Sequence, residues 1–203
     1  MLTKITLREI KNSLGRYLAI LIIVALGVGL FAGLKVTRDA MVDTLDEYLT
    51  ERNLYDYQLI STLGYEAKDV ERISSLDNVN AAEGSISYDV LCNAGEMDQV
   101  LKAYSITESV NKVKLLEGRM PKTSDECVAD GRVYSTDDIG KTIELSADNS
   151  KDTLDAFAYR KYTITGLVYS PLYLNYERGS TSLGNGIIEA YFYILPAGFD
   201  SDI

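Results

Sequence analysis

The sequence predicts an α+β protein, with an N-terminal transmembrane helix and helical stalk followed by a two-lobed extracytoplasmic domain. Three observations predict it. Residues 17–34 are apolar and carry no charge. Residues 35–54 keep a helical pattern that no Pro or Gly interrupts. The rest is short alternating runs separated by Gly, Pro and polar clusters, the pattern of strands and turns.

Residues 1–16 read as a basic cytoplasmic segment. Leu2, Ile5, Ile10 and Leu14 share one helical face, with Lys4, Arg8 and Lys11 elsewhere. That pattern suits a helix on the inner membrane surface, and equally a plain basic topogenic tail.

Residues 17–34 (YLAILIIVALGVGLFAGL) span roughly 27 Å as a helix. This is near the lower limit for crossing a bilayer, and Arg16 can snorkel to the headgroups. The apolar core is too long for a cleaved signal peptide. It also lacks the polar face of a core helix, so an uncleaved span fits best. Four basic residues precede it, which places the N-terminus in the cytoplasm and residues after about 36 outside. Ala25, Gly29 and Gly33 recur every fourth residue, a spacing that lets a second helix approach.

Residues 35–55 read as a stalk continuing the span outward. Residues 56–203 read as the outer domain. Tyr57–Thr62 reads as a strand, Glu66–Leu76 as a short helix and Val79–Cys92 as a long strand or hairpin, together a βαβ-like lobe. Val100–Ile106 is a further strand. Leu115–Pro121 reads as a loop marked by Gly118 and Pro121. Cys127–Ala129, Ile139–Leu145, Tyr162–Tyr169 and Ala190–Leu195 supply a second, mostly β lobe. The 15 tyrosines fit half-buried strands better than a binding surface.

Charge is divided along the chain. Up to Lys35, five basic residues meet one acidic residue, giving +4; beyond it fifteen meet twenty-nine, giving −14 and a total of −10. An acidic body repels phosphate backbones, so nucleic acid is excluded as a partner. The sequence has no His. That removes His-based acid–base chemistry, His-dependent nucleophiles and His metal sites. Cys92 and Cys127 form no CxxC, so a zinc cluster is excluded. They are either small buried hydrophobes or one disulfide.

Several patterns imitate sites. Gly140-Lys141-Thr142 resembles the end of a phosphate-binding loop, but the first glycine of that pattern is replaced by Ser135. Asp137 and Asp138 would repel phosphate, and a strand follows where a helix is needed. Asp148–Asp152 lacks the Gly and terminal Glu of a calcium loop and reads as a solvated loop. The adjacent pairs Asp125/Glu126 and Asp137/Asp138 read as surface charge. No cofactor is implied.

Four features together resemble a known family. LREIKNSLGRYL runs directly into the membrane helix. That helix is Gly-rich at its outer end and continues as a stalk. Leu116-Glu117-Gly118-Arg119-Met120-Pro121 is followed by Asp125-Glu126-Cys127-Val128. Ile139-Gly140-Lys141-Thr142-Ile143-Glu144-Leu145 is followed by Tyr162-Thr163-Ile164-Thr165-Gly166-Leu167-Val168. In order and spacing these resemble the N-terminal part of an FtsX-like permease of ABC transporters with a MacB-type extracytoplasmic core domain. Lys141 departs from the pattern, since many relatives have Asp there.

The resemblance implies a membrane subunit of the mechanotransmission type. Such a subunit binds no nucleotide, and works with a cytoplasmic ABC ATPase and a second permease or a second copy. Such proteins have four membrane helices, so the 203 residues read as a fragment. It also implies that Gly118, Arg119, Pro121, Glu126, Gly140 and Gly166 define the fold; Arg119 and Glu126 are expected to pair. The other class of reading is a single-span anchored domain that senses or binds an extracellular ligand. An anchored enzyme has little support without His, a metal cluster or a nucleophile.

Overall fold

The computed structural model describes residues 13–61, 64–94 and 97–200. The surface-helix reading of the N-terminal segment falls largely on residues 1–12, outside the described residues. The chain divides into two compact units, Met1–Tyr48 and Leu49–Ile203.

Helix α1 runs Leu14–Arg52, 39 residues, which is about 58 Å of helix at 1.5 Å per residue. None of its residues is buried. It is long and apolar enough to cross a membrane, a test that a signal sequence near the N-terminus also passes. No proline breaks it, and Thr37 and Thr44 return their hydroxyls to the carbonyls of Gly33 and Ala40. It ends in a Schellman turn: Asn53 N–H donates to Thr50 O and Leu54 N–H to Leu49 O. Asn53 holds φ at +51°, and Asn is the usual substitute for Gly at that position.

The expected strand at Tyr57–Thr62 is not formed; residues 57–61 pair with no strand, and Thr62 lies outside the described residues. Tyr57 is 89% and Ile60 80% exposed. The segment has strand composition but no partner strand, and composition alone does not make a sheet. The βαβ reading of this region is corrected accordingly. Helix α2 (Ala67–Ser74) is shorter than expected. Its Asp69 carboxylate accepts the backbone N–H of Glu66, a capping contact that sets the helix start. Val70 and Ile73 are half-buried and Leu76 is exposed.

The strands are β1 (Ser87–Ala94), β2 (Met97–Ser105), β3 (Lys114–Gly118), β4 (Glu126–Asp130), β5 (Thr142–Glu144), β6 (Lys161–Tyr169) and β7 (Ala190–Ile194). Residues 79–86 are not strand, so the long-strand reading shortens to β1. Residues 115–118 of the expected loop belong instead to β3. A short helix α3 (Lys151–Asp155) begins inside the expected solvated loop Asp148–Asp152, of which residues 148–150 remain non-helical, with the Ser150 hydroxyl accepting the Thr153 N–H.

All seven strands form one mixed sheet in the order β1-β2-β7-β4-β6-β3, with β5 also on β6. β2–β7 and β4–β6 are parallel; the other pairs are antiparallel. β5 and β3 share one edge of β6, β5 opposite residues 161–163 and β3 opposite residues 166–169. The sheet therefore takes strands from both expected lobes.

It also curls back on itself. Leu145, just after β5, bridges Cys92 of β1, and Ser146 N–H donates to Leu91 O at 2.8 Å. Asn149 completes the seam by acting as a piece of strand. Its Oδ1 accepts Leu91 N–H at 2.8 Å, and its Nδ2 donates to Leu91 O and Ser146 O.

The period-two alternation of β7 explains its place in the sheet. Ala190, Phe192 and Ile194 join the main core with Val90, Leu101, Tyr162 and Phe157. Tyr191 and Tyr193 face the other way, packing with Val128 and Val168. Both faces of β7 are buried, as expected of a central strand. The outer cluster is covered by the segment after β6, pinned by a buried ion pair. Arg178 Nε donates to Asp130 Oδ2 at 2.6 Å, with side chains only 2% and 0% exposed. The guanidinium carbon lies 5.4 Å and 5.3 Å from the ring centroids of Tyr173 and Tyr191, which stack on each other.

Candidate functional site

Three places stand out, and the residues singled out in the sequence fall in the first two of them and at Gly140. The first is the apolar part of α1. Ala25, Gly29 and Gly33 lie on exposed helix, and no atom lies within 4 Å of where a Cβ would stand on either glycine. The stripe is therefore open to a second helix backbone.

The second place is the turn between β3 and β4. Gly118 has φ +76°, and a Cβ there would lie 2.3 Å from Thr165 O. Gly166 is its register partner, and a Cβ on it would lie 2.7 Å from Arg119 O. Two backbones thus touch where two glycines face each other. Thr165 is the extra residue of a bulge in β6, since Cys127 pairs with Ile164 and Val128 with Gly166. Its hydroxyl reaches both Arg119 O and Cys127 O at 3.1 Å. Arg119 and Glu126 form a two-pronged ion pair, with Nη1 donating to Oε2 at 2.7 Å and Nη2 to Oε1. The Lys122 N–H also donates to Glu126 at 2.7 Å. The Arg119 bonds, then that N–H, hold the Glu126 carboxyl down at about 2. Pro121 is buried within this turn.

Gly140 stands apart, in the turn entering β5. Its φ is +94°, with open space around the missing Cβ. Lys141 Nζ pairs with Asp138 at 2.8 Å, and Asp138 also accepts the Ser135 N–H and hydroxyl. The lysine of the imitation phosphate loop is thus engaged, and β5 follows it.

The third place had no signal in the sequence. It is the loop 108–112 between β2 and β3, which the second unit holds from two sides. On one side stands the last turn of α1. Lys112 N–H donates to Arg52 O at 2.8 Å, and Asn111 N–H to Asn53 O at 2.9 Å. Asn53 Nδ2 donates to Ser109 O at 2.6 Å, and Tyr55 N–H to Asn111 Oδ1 at 3.0 Å. On the other side stands Glu83. It accepts the N–H groups of Glu108, Ser109 and Val110 and the Ser109 hydroxyl, at 2.7–3.0 Å. Burial alone would raise this carboxyl; the four donors outweigh it and hold it below its ordinary value. A spacing rule would not have found this cluster, because Asn53, Glu83 and Asn111 are far apart in sequence.

A shallow groove of about 370 Å3 lies nearby in the same unit, lined by Leu54, Tyr55, Pro171, Leu172, Leu174 and Asn175. Among the described residues, no group of three or more Cys, Asp or Glu side chains could hold a metal ion. Cys92 and Cys127 are both free and buried, so the disulfide alternative is not met. Burial pushes both thiols up, which makes them poor nucleophiles.

Compared with known proteins, the chain matches no family model and no curated sequence.

Proposed function

We propose that the chain is the N-terminal part of a membrane permease subunit of an ABC transporter of the mechanotransmission type. One observation carries the reading: α1 is a single uninterrupted helix whose last turn is hydrogen-bonded into the loop that feeds the sheet. An unbroken helix passes displacement along its length without losing it in hinges. In this reading the N-terminus is cytoplasmic and the sheet domain lies outside. A cytoplasmic ABC ATPase subunit hydrolyses ATP, and this chain binds no nucleotide and is not itself an enzyme. The Ala25, Gly29 and Gly33 stripe receives a helix of a second permease copy within the lipid. The two-lobed division belongs to the same reading, with the β1–β2 hairpin and α2 on one side and β3–β7 on the other.

Inserting Gly-Pro beside Asp43 tests the reading. Transport should fall to background while ATP hydrolysis by the partner continues. Transport that stays normally coupled would refute it. The second reading is an anchored domain that senses or binds an extracellular ligand. That reading predicts no ATPase co-purifying with the chain.

A further inference from the structure

We propose that the loop 108–112 is a rigid joint locking the last turn of α1 to β3, and that the Asn53 and Asn111 side chains are its locking residues. The proposal deepens the permease reading, on which its functional meaning rests. A helix C-terminus normally leaves its last carbonyls to solvent or to local turns. Here Arg52 O and Asn53 O accept N–H groups from Lys112 and Asn111, residues far along the chain. The two asparagines are matched. Both adopt positive φ, +51° and +53°, and each bonds the other's segment, Asn53 to Ser109 O and Asn111 to Tyr55 N–H. Glu83 closes the opposite flank with four bonds to residues 108–110. The loop cannot follow the helix end and leave the sheet behind, because both its flanks are occupied.

What lies beyond the joint gives it a purpose. β3 begins at Lys114, two residues after Lys112. It is an edge strand paired only to β6 and mostly exposed along its length. Its far end is Gly118, where the glycine contact and the Arg119–Glu126 pair fix it to β6 and β4. β3 is therefore held at both ends. A push on the helix end enters at Lys114 and is delivered at the turn before β4.

The test uses the full chain in lipid nanodiscs, spin-labelled at Thr50→Cys and Thr142→Cys, both exposed positions. Cys92 and Cys127 are buried and stay unlabelled. The parent should give a narrow label-to-label distance distribution. The double variant N53G/N111G keeps residues that tolerate positive φ and removes only the side-chain bonds. It should broaden the distribution about twofold, the mark of a locally released segment. N78G makes the same change at another positive-φ asparagine, Asn78, and should leave the width unchanged. A double variant as narrow as the parent would overturn the proposal. So would broadening in N78G as well, since that reports general loosening. The distances are read without ATP. If they respond as expected while no ATPase partner is found, the joint stands and the permease reading fails.

Discussion

The glycines of the turn motif differ in what they would lose. Gly118→Ala meets both a positive φ and a backbone oxygen, and should cost about 2–4 kcal/mol from strain plus overpacking. Gly166→Ala, which meets two carbonyl oxygens, should cost a similar amount. Gly140→Ala has open space and should cost about 1–2 kcal/mol from strain alone. Denaturant titration of the three variants ranks them, and equal losses would contradict the close-contact account. Glu126 makes a pH prediction. Its carboxyl is lowered from an ordinary 4.5 to about 2, so the folded state holds that proton less tightly than the unfolded state does. The stabilisation is full above pH 4.5 and is lost as pH falls through about 2. Glu126→Gln should flatten the fall in melting temperature across that window. An unchanged slope would assign acid sensitivity to other carboxylates.

At the scale of elements, the residues that were legible were those whose neighbours lie within a few positions. The apolar run of α1 and the alternation of Tyr162–Tyr169 and Ala190–Ile194 carry their own period, so helix and strands could be read from the chain. β3 falls where the sequence reads as a loop, because Gly118 resembles turn punctuation; its real demand is the close approach of Gly166, a distant residue. Residues 57–61 show the reverse, where Tyr, Leu and Ile have strand composition but pair with no strand. Such an exposed apolar run is the natural first cut for a protease. Limited chymotrypsin digestion should cleave at Tyr57 or Leu59 before any site within β1–β7, as checked by mass spectrometry of the first fragments. First cleavage inside the sheet would show that the segment is covered in solution. Asn149 and Arg178 were missed for the same reason as β3, since a buried polar side chain is explained only by partners that the linear sequence does not show.

For the whole molecule, the seam at Asn149 decides whether the sheet is closed. Asn149→Ala would leave Leu91 N–H and two carbonyls without these partners, at a cost of about 2–3 kcal/mol. Hydrogen exchange at Leu91 and Ser146 should rise selectively in that variant; a uniform rise would mean that the seam is no weaker than the rest. The strand order has a further consequence, for the time at which the domain is made. β7 lies between β2 and β4 and is buried on both faces, yet it leaves the ribosome after all six other strands. Until residue 194 is synthesised, β2 and β4 have no common neighbour, and the nascent domain has no closed core to collapse around. Ribosomes paused before that point should therefore carry chains that remain unfolded, the state in which a polypeptide can be threaded through a translocation channel.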